Sequence, residues 1–404
     1  MSENKKQQLV PRLRFPEFCD DQSWSFQSLG RLARRSTKKN TEGDITRVLT
    51  NSAEYGVIDQ RDFFDKDIAN QGNLEGYYIV EEGDYVYNPR ISATAPVGPV
   101  SKNRIGLGVM SPLYTVFRFN NTQNDIYAHY FKSTHWHQYM RQASSTGARH
   151  DRMSITNDDF MGLPLPVSKP EEQQKIADCL SSLDDLIAAE SQKLDTLKTH
   201  KKGLMQQLFP REGETVPRLR FPEFREAPAW GKEKLEKLIT TVSPPSKLQS
   251  SNYGTQGKFP IIDQSQEFIC GWTDDERAVI TESLPLIIFG DHTCALKFVD
   301  KPFAQGADGI KILKVRPAIS AEYLFHSLSH RPLAMEDYKR HFSMLKERAV
   351  VFPDIESGEQ QKIADSLSSL DDLITAQTQK IDALKTHKKG LMQQLFPTLD
   401  EVDA

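Results

Sequence analysis

Apolar residues along 166–210 recur at alternating steps of four and three. Ile176, Leu180, Leu183, Ile187, Leu194, Leu197, Leu204 and Leu208 form one stripe. That 3.5-residue period predicts a long helix with a coiled-coil seam. Ile363, Leu367, Leu370, Ile374, Ile381, Leu384, Leu391 and Leu395 form a second stripe. Each seam has two polar positions, Glu190 and Lys201 in the first and Gln377 and Lys388 in the second. Polar seam residues cost stability but can set register and partner. Ser168 with Glu171 offers a capping box for the first helix. Pro170 suits its first turn, and Pro210 and Pro397 close the two helices. About 38 residues rising 1.5 Å each make a rod of roughly 57 Å.

The two stripes lie in a repeated sequence. EQQKIADCLSSLDDLIAAESQKLDTLKTHKKGLMQQLFP at 172–210 returns, little changed, at 359–397. VPRLRFPEF at 10–18 returns at 216–224. The first pair is offset by 206 residues (Val10 to Val216) and the second by 187 (Gln173 to Gln360), so the second intervening segment is 19 residues shorter. The 206 offset also matches Trp24 to Trp230, Leu29 to Leu235 and Leu32 to Leu238. The chain is a tandem duplication whose frame is repeated and whose inserts are not. The economical way to bury each seam is against the other copy, as an intramolecular antiparallel coiled coil with pseudo-twofold symmetry. A parallel pair would need a linker running back along the rod. Two unrelated amphipathic helices, each packed on its own insert, are the plainer alternative.

The inserts read as mixed α/β. Strand-like runs are 76–80, 84–88 and 113–119 in the first and 284–289 and 309–315 in the second, rich in β-branched and aromatic residues between glycines and prolines. Helical patterns follow at 126–142 and 320–342. The expected fold class is α+β: two mixed α/β insert domains separated by two long helices that form an intramolecular antiparallel coiled coil. The expected division is a lead-in at 1–24, a first insert domain at 25–165, a helix at 166–210 and a repeated lead-in at 211–230. A second insert domain at 231–353, a second helix at 354–397 and a tail at 398–404 complete it.

Composition narrows the function classes. A chain of 404 residues exceeds one ordinary domain. No apolar run nears the ~20 residues of a membrane span, and MSENKKQQLVPR has no apolar stretch of a signal peptide. A cytoplasmic protein without membrane contact is expected. Cys19, Cys179, Cys270 and Cys294 are scattered and read as reduced thiols. The net charge of −4 argues mildly against a nucleic-acid binder, unless cations such as Lys38, Lys39, Arg149 and Arg152 gather on one face. There is no GxxxxGK[ST] phosphate loop and no dinucleotide-binding glycine turn. Asn88-Pro89-Arg90 lacks the second proline and the aromatic residue of an amino-methyltransferase site. His129, His135 and His137 have no Cys or carboxylate at ligand spacing, and Asp184-Asp185 and Asp371-Asp372 lie on the coiled coil. No catalytic residue and no metal site is expected; the protein binds rather than transforms.

The doubled EQQKIA…LSSLDDLI…LKTHKKGLMQQLFP helix, preceded by LPLPVSKPEEQ at 163–173, and the PRLRFPEF lead-in resemble the specificity subunit of a type I restriction–modification system. YVYNPRIS at 85–92 and VMSPLYTVFRF at 109–119 resemble one group of its target-recognition domains. FPIIDQS at 259–265, IIFGDHT at 287–293 and PFAQGADGIKIL at 302–313 resemble another. The resemblance implies a non-catalytic subunit of an anti-phage DNA-modification system. Each insert would read half of an asymmetric split site on double-stranded DNA, and the helices would set the spacer. Two methyltransferase subunits would dock on the duplicated frame and bind S-adenosylmethionine. Restriction subunits would bring ATP and magnesium, and no cofactor would bind this chain. The first insert ends at 145–153 with Gly147 and Arg149, near a common family ending; the second lacks that glycine and offers Arg348.

Base reading needs side chains that reach a groove edge: Arg or Lys for guanine, Asn or Gln for adenine, with hydroxyls assisting. The candidates are Tyr87, Asn88, Arg90, Ser92, Lys102, Arg104 and Arg149 in the first insert. In the second they are Gln264, Ser265, His292, Thr293, Lys297 and Gln305. Each is set against an ordinary role as a loop polar group or solvated charge. Asp291 and Asp308, beside glycines, read as turn-fixing residues, and Trp24 and Trp230 as core anchors. Two other classes stay open. One is a protein-binding scaffold of an anti-phage assembly; the other is a self-contained DNA-modifying enzyme.

Overall fold

In the computed structural model the described residues are 9–63, 74–144, 151–281, 284–307, 309–335 and 341–398. The chain divides into two compact units, 1–189 with 380–404, and 190–379. Both long helices, Pro170–Leu208 and Glu359–Leu395, therefore contribute one half to each unit. No helix among the described residues is long and apolar enough to cross a membrane.

The helices pack together as the seam predicts. Every seam position is buried or half-buried, whereas the off-seam Leu186 and Leu373 are 40% and 54% exposed. In the second unit Lys201 Nζ donates to both Asp371 carboxylate oxygens at 2.5 and 2.6 Å, and Gln377 Nε2 donates to Glu190 Oε2 at 2.6 Å. Eleven residues forward along one helix correspond to six residues back along the other, so they run antiparallel. In the first unit the equivalent pair is Lys388 with Asp184. All the polar seam residues thus have charged or hydrogen-bonding partners across the pair. Burial pulls the Lys388 ammonium below the ordinary lysine range, and Asp184 works against that shift.

The repeated lead-in is a strap rather than a linker. Arg14 grips Glu172 through two hydrogen bonds of 2.7 and 2.9 Å, with only 5% and 1% of the two side chains exposed. Arg220 grips Glu359 in the same way at 2.7 and 2.6 Å. Each guanidinium also holds two carbonyls downstream in its own strap, Asp21 and Gln22 or Ala227 and Pro228. Leu13 N–H donates to Gln394 O, and Leu219 N–H to Gln207 O. Trp24 and Trp230 are buried, as core anchors should be, and Trp230 Nε1 reaches Glu359 at 3.3 Å. The Ser168–Glu171 capping box does not form. Pro170 opens the helix, and Gln173 Nε2 bonds back to Ser168 O at 3.0 Å.

Although their sequences are not repeated, the inserts share a sheet. In the first unit the antiparallel order is Ala33–Arg35, Thr115–Phe119, Tyr85–Tyr87, Val100–Lys102. In the second it is Ile239–Val242, Ile310–Val315, Leu286–Gly290, Leu296–Val299. A two-stranded ribbon closes each insert, Ser25–Ser28 with Pro164–Val167 and Gly231–Lys234 with Ala349–Phe352. The second unit adds a four-stranded sheet, Gly271–Thr273, Phe259–Ile262, Phe303–Gln305, Val279–Ile280. The helical pattern at 126–142 breaks into Asp125–Tyr130 and His137–Ala143, because Trp136 folds back and its Nε1 bonds Phe131 O and Ser133 O. In the second insert Ala321–His330 stops before Arg331-Pro332, and His341–Glu347 is a separate helix.

A histidine joins each insert to the frame. His129 Nε2 lies 3.1 Å from Ser181 Oγ, and His326 Nε2 lies 3.1 Å from Ser368 Oγ. Burial, reinforced by Lys388 and Lys132 around the first and Lys201 near the second, lowers both pKa values to about 4. Such a histidine is neutral when folded and binds protons more readily when unfolded. Stability therefore rises with pH between about 4 and 6.5 and is lost as pH falls through that window. We expect each to cost about 3 kcal/mol on going from pH 7 to pH 4. In urea titrations, His326→Gln should flatten that dependence. Breaking a buried pair leaves an uncompensated charge, so Arg220→Met should cost about 3–5 kcal/mol. Truncating the solvent-exposed Lys234–Glu347 pair should leave stability almost unchanged. Urea unfolding followed by tryptophan fluorescence would measure both.

Candidate nucleic-acid interface

In the first unit, strand Tyr85–Tyr87 ends in a loop that borders a cleft of about 530 Å³. Asn88 is fixed there from both ends of its amide. Nδ2 donates to Asn51 O at 3.0 Å, and Oδ1 accepts Arg90 N–H at 3.0 Å. Asn51, buried behind it, donates to Val86 O and Pro99 O. This scaffold turns Arg90 outward, where it is exposed and has no ion pair among the described residues. Ser92, also on the cleft, bonds Thr94 Oγ1 and Ala95 N. Arg152 lines the same cleft and pairs by backbone with Arg90. Asn88, Arg90 and Ser92 are thus brought together.

The other candidates of the first insert fall elsewhere. Tyr87 is 1% exposed, stacked on Phe160 at 4.5 Å, with its hydroxyl donated to Val97 O. It is a core residue, because the strand that carries it is covered on both faces. Lys102 and Arg104 converge on Asp125 at 2.9 and 2.6 Å and border a different cleft. Arg149 and Gly147 lie outside the described residues.

In the second unit three loops meet. Thr293 Oγ1 donates to Gln264 O at 2.5 Å, Gly306 N–H to Ile262 O at 2.9 Å, and Asp291 N–H to Gly309 O at 2.7 Å. Gly309 has φ +100°, and a Cβ there would stand 2.6 Å from the Gln264 side chain, so only glycine fits. Gln264, Ser265 and Thr293 gather here, with His292 exposed beside them. Asp291, expected to fix its own turn, reaches further: its Oδ1 accepts Phe342 N–H at 2.8 Å in the first turn of helix His341–Glu347. Asp308 lies outside the described residues. Lys297 is 5% exposed beneath this surface, donating to Asp263 O at 2.9 Å and Glu267 O at 2.5 Å. Burial holds its ammonium below the ordinary lysine range, partly offset by Cys270, Asp263 and Glu267. Gln305 is 3% exposed within its strand. Both were expected at the surface and are instead buried, and Lys297 braces the loop above it.

Residues 32–199 match the family described as the type I restriction modification DNA specificity domain. The chain is 28% identical over 278 residues to the protein named as the type I restriction enzyme MjaX specificity subunit of Methanocaldococcus jannaschii, a match covering 61% of each. It is 27% identical over 141 residues to the MjaVIII specificity subunit of the same organism, covering 35% of this chain and 31% of that one. The chain therefore spans about three-fifths of the first relative's length and under a third of the second's. The solved S subunit of a type I restriction–modification system from M. genitalium has the same fold, with a TM-score of 0.61 at 13% identity, covering 96% of this chain and 100% of that one.

Over residues 32–199 the chain carries the sequence of a type I DNA specificity domain.

A second solved chain, from a study of complex assembly and conformational transition of the type I R-M system, shares the fold with a TM-score of 0.53 at 14% identity, covering 93% and 97%. The candidates that reach the surface lie in loops beside the two insert sheets. Arg152 lines the first cleft beside the candidates read from sequence, and Asn51 supports their loop from beneath. Asn51 gave no signal of its own, because its role depends on a strand pairing invisible in the local pattern. Gly98 shows how tightly the Asn88 loop is held: its φ is +80°, and an added Cβ would lie 2.1 Å from Asn88 O. Gly98→Ala should therefore cost at least about 2 kcal/mol. Loss of protection at Asn88–Ser92 in hydrogen exchange, with the other unit unchanged, would be the readout.

Proposed function

We propose that this chain is the DNA sequence-specificity subunit of a type I restriction–modification complex and carries no catalytic residue. Each insert reads one half of a bipartite, asymmetric site on double-stranded DNA. The paired helices set the spacer, and the repeated frame docks two methyltransferase subunits, through which restriction subunits are engaged. S-adenosylmethionine binding and adenine methylation belong to the methyltransferase subunits, and ATP and magnesium to the restriction subunits. The assembly works in the cytoplasm.

The observation that carries this reading is the identity of surface residues that packing does not require. Asp185, Leu186, His200 and Lys202 are exposed on the first helix, and the same residues recur, exposed, as Asp372, Leu373, His387 and Lys389 on the second. A seam constrains only its own positions. Repeated outer faces fit two copies of one partner, while inserts that share a sheet and differ in loop residues fit two different half-sites. The outward Arg90 suits a guanine edge or a phosphate.

The unit boundary tells where the spacer can be tested. Seven residues inserted in both helices, after Ala189 and after Gln379, keep the seam in phase and leave each unit's own contacts whole. Each helix then lengthens by about 10 Å, or about three base pairs at 3.4 Å per pair. Methylation sequencing of the variant complex should return both half-sites with a wider spacer. Methylation at the original spacing would overturn the ruler role. A stable methyltransferase complex with no sequence preference would favour a protein-binding scaffold.

A further inference from the structure

We infer that Phe268 and Ile269, at the tip of the loop joining strands Phe259–Ile262 and Gly271–Thr273, contact the apolar surface of bases in the second half-site. This assignment rests on the DNA-reading role proposed above. Two large apolar side chains stand here in succession, 49% and 36% exposed. Exposure of this kind is ordinary on a floppy loop, but this loop is braced.

Lys297 Nζ reaches up from strand Leu296–Val299 and ties Asp263 O to Glu267 O. Asp263 Oδ1 accepts from Ser265 N at 2.8 Å and from Cys270 Sγ at 2.7 Å, and Cys270 N–H donates to Ile261 O at 2.9 Å. Desolvating an ammonium merely to bond two carbonyls is costly. The return is a loop held in one shape with its apolar tip outward.

The choice of occupant follows from where the loop lies. A partner docking alike on both units uses surfaces repeated in both, and the sequence 263–270 occurs once in the chain. The loop also carries Gln264 and Ser265, and Thr293 bonds to it, so its tip continues the polar surface described above. Thymine methyls and exposed base faces are the apolar features that DNA offers to such a tip.

The test uses the full-length chain in complex with its methyltransferase, on duplexes bearing the motif that methylation sequencing defines. Phe268→Ser and Ile269→Ser should each weaken binding to the cognate duplex, by about tenfold for Phe268. Phe268→Leu should recover most of the loss. The slope of log affinity against log salt should not change, because no phosphate contact is removed. A duplex with a scrambled second half-site should bind all variants alike. Affinity within twofold of wild type would overturn the assignment. So would equal losses on the scrambled duplex, or loss of the methyltransferase from the complex, which would mark the tip as a protein contact. A wild-type complex with no sequence preference would overturn the DNA-reading role itself, and this assignment with it.

Discussion

Glu172 and Glu359 sit at the mouths of the two long helices with 1% of their side chains exposed. A carboxylate holds such a place only when a matched cation and further hydrogen bonds replace its water. Arg14 and Arg220 supply both, and each also reaches two carbonyls of its own strap. One buried pair thus joins two stretches of chain that are far apart in sequence, the lead-in and the start of the helix, and folds the lead-in back on its own guanidinium. Buried ion pairs of this kind add little net stability over an apolar substitute. What they give here is a fixed meeting point, repeated twice.

The same economy governs the helix pair. Apolar seam residues supply the burial, but leucines and isoleucines in a repeating stripe tolerate sliding by a heptad. The lysines do not. Sliding the pair by seven residues would set Lys201 opposite Ala364 or Thr378 instead of Asp371. It would set Lys388 opposite Ala177 or Ser191 instead of Asp184. Either slip leaves a largely buried ammonium without its carboxylate, so charge selects one register among several of similar apolar burial.

How much the sequence disclosed depended on how local the cause was. The seam was legible to the residue because its period is set by one helix. The five strand-like runs named from sequence met strands within a residue or two, since β-branched and aromatic runs mark them, while the many short strands elsewhere carried no such mark. The shared sheet order of two unlike inserts was not, because it lies in long-range pairing. Among the candidate readers, Asn88, Arg90, Ser92, Gln264, Ser265, His292 and Thr293 lie in loops at or near the surface. Tyr87, Lys297 and Gln305 misled because residue type says nothing of depth: a strand covered on both faces swallowed the tyrosine and the glutamine, and a loop needing a brace took the lysine. The strap arginines went unnoticed, although their recurrence with the helix glutamates at fixed offsets was a signal that they act together.

Two unlike inserts on one repeated frame are proposed to read two unlike half-sites. The most direct measurement is the methylome of a methylation-free host expressing this chain with its cognate methyltransferase subunit. The expected result is one split, non-palindromic adenine-methylation motif that vanishes when this chain is omitted. A palindromic motif, or the same methylation without this chain, would contradict it.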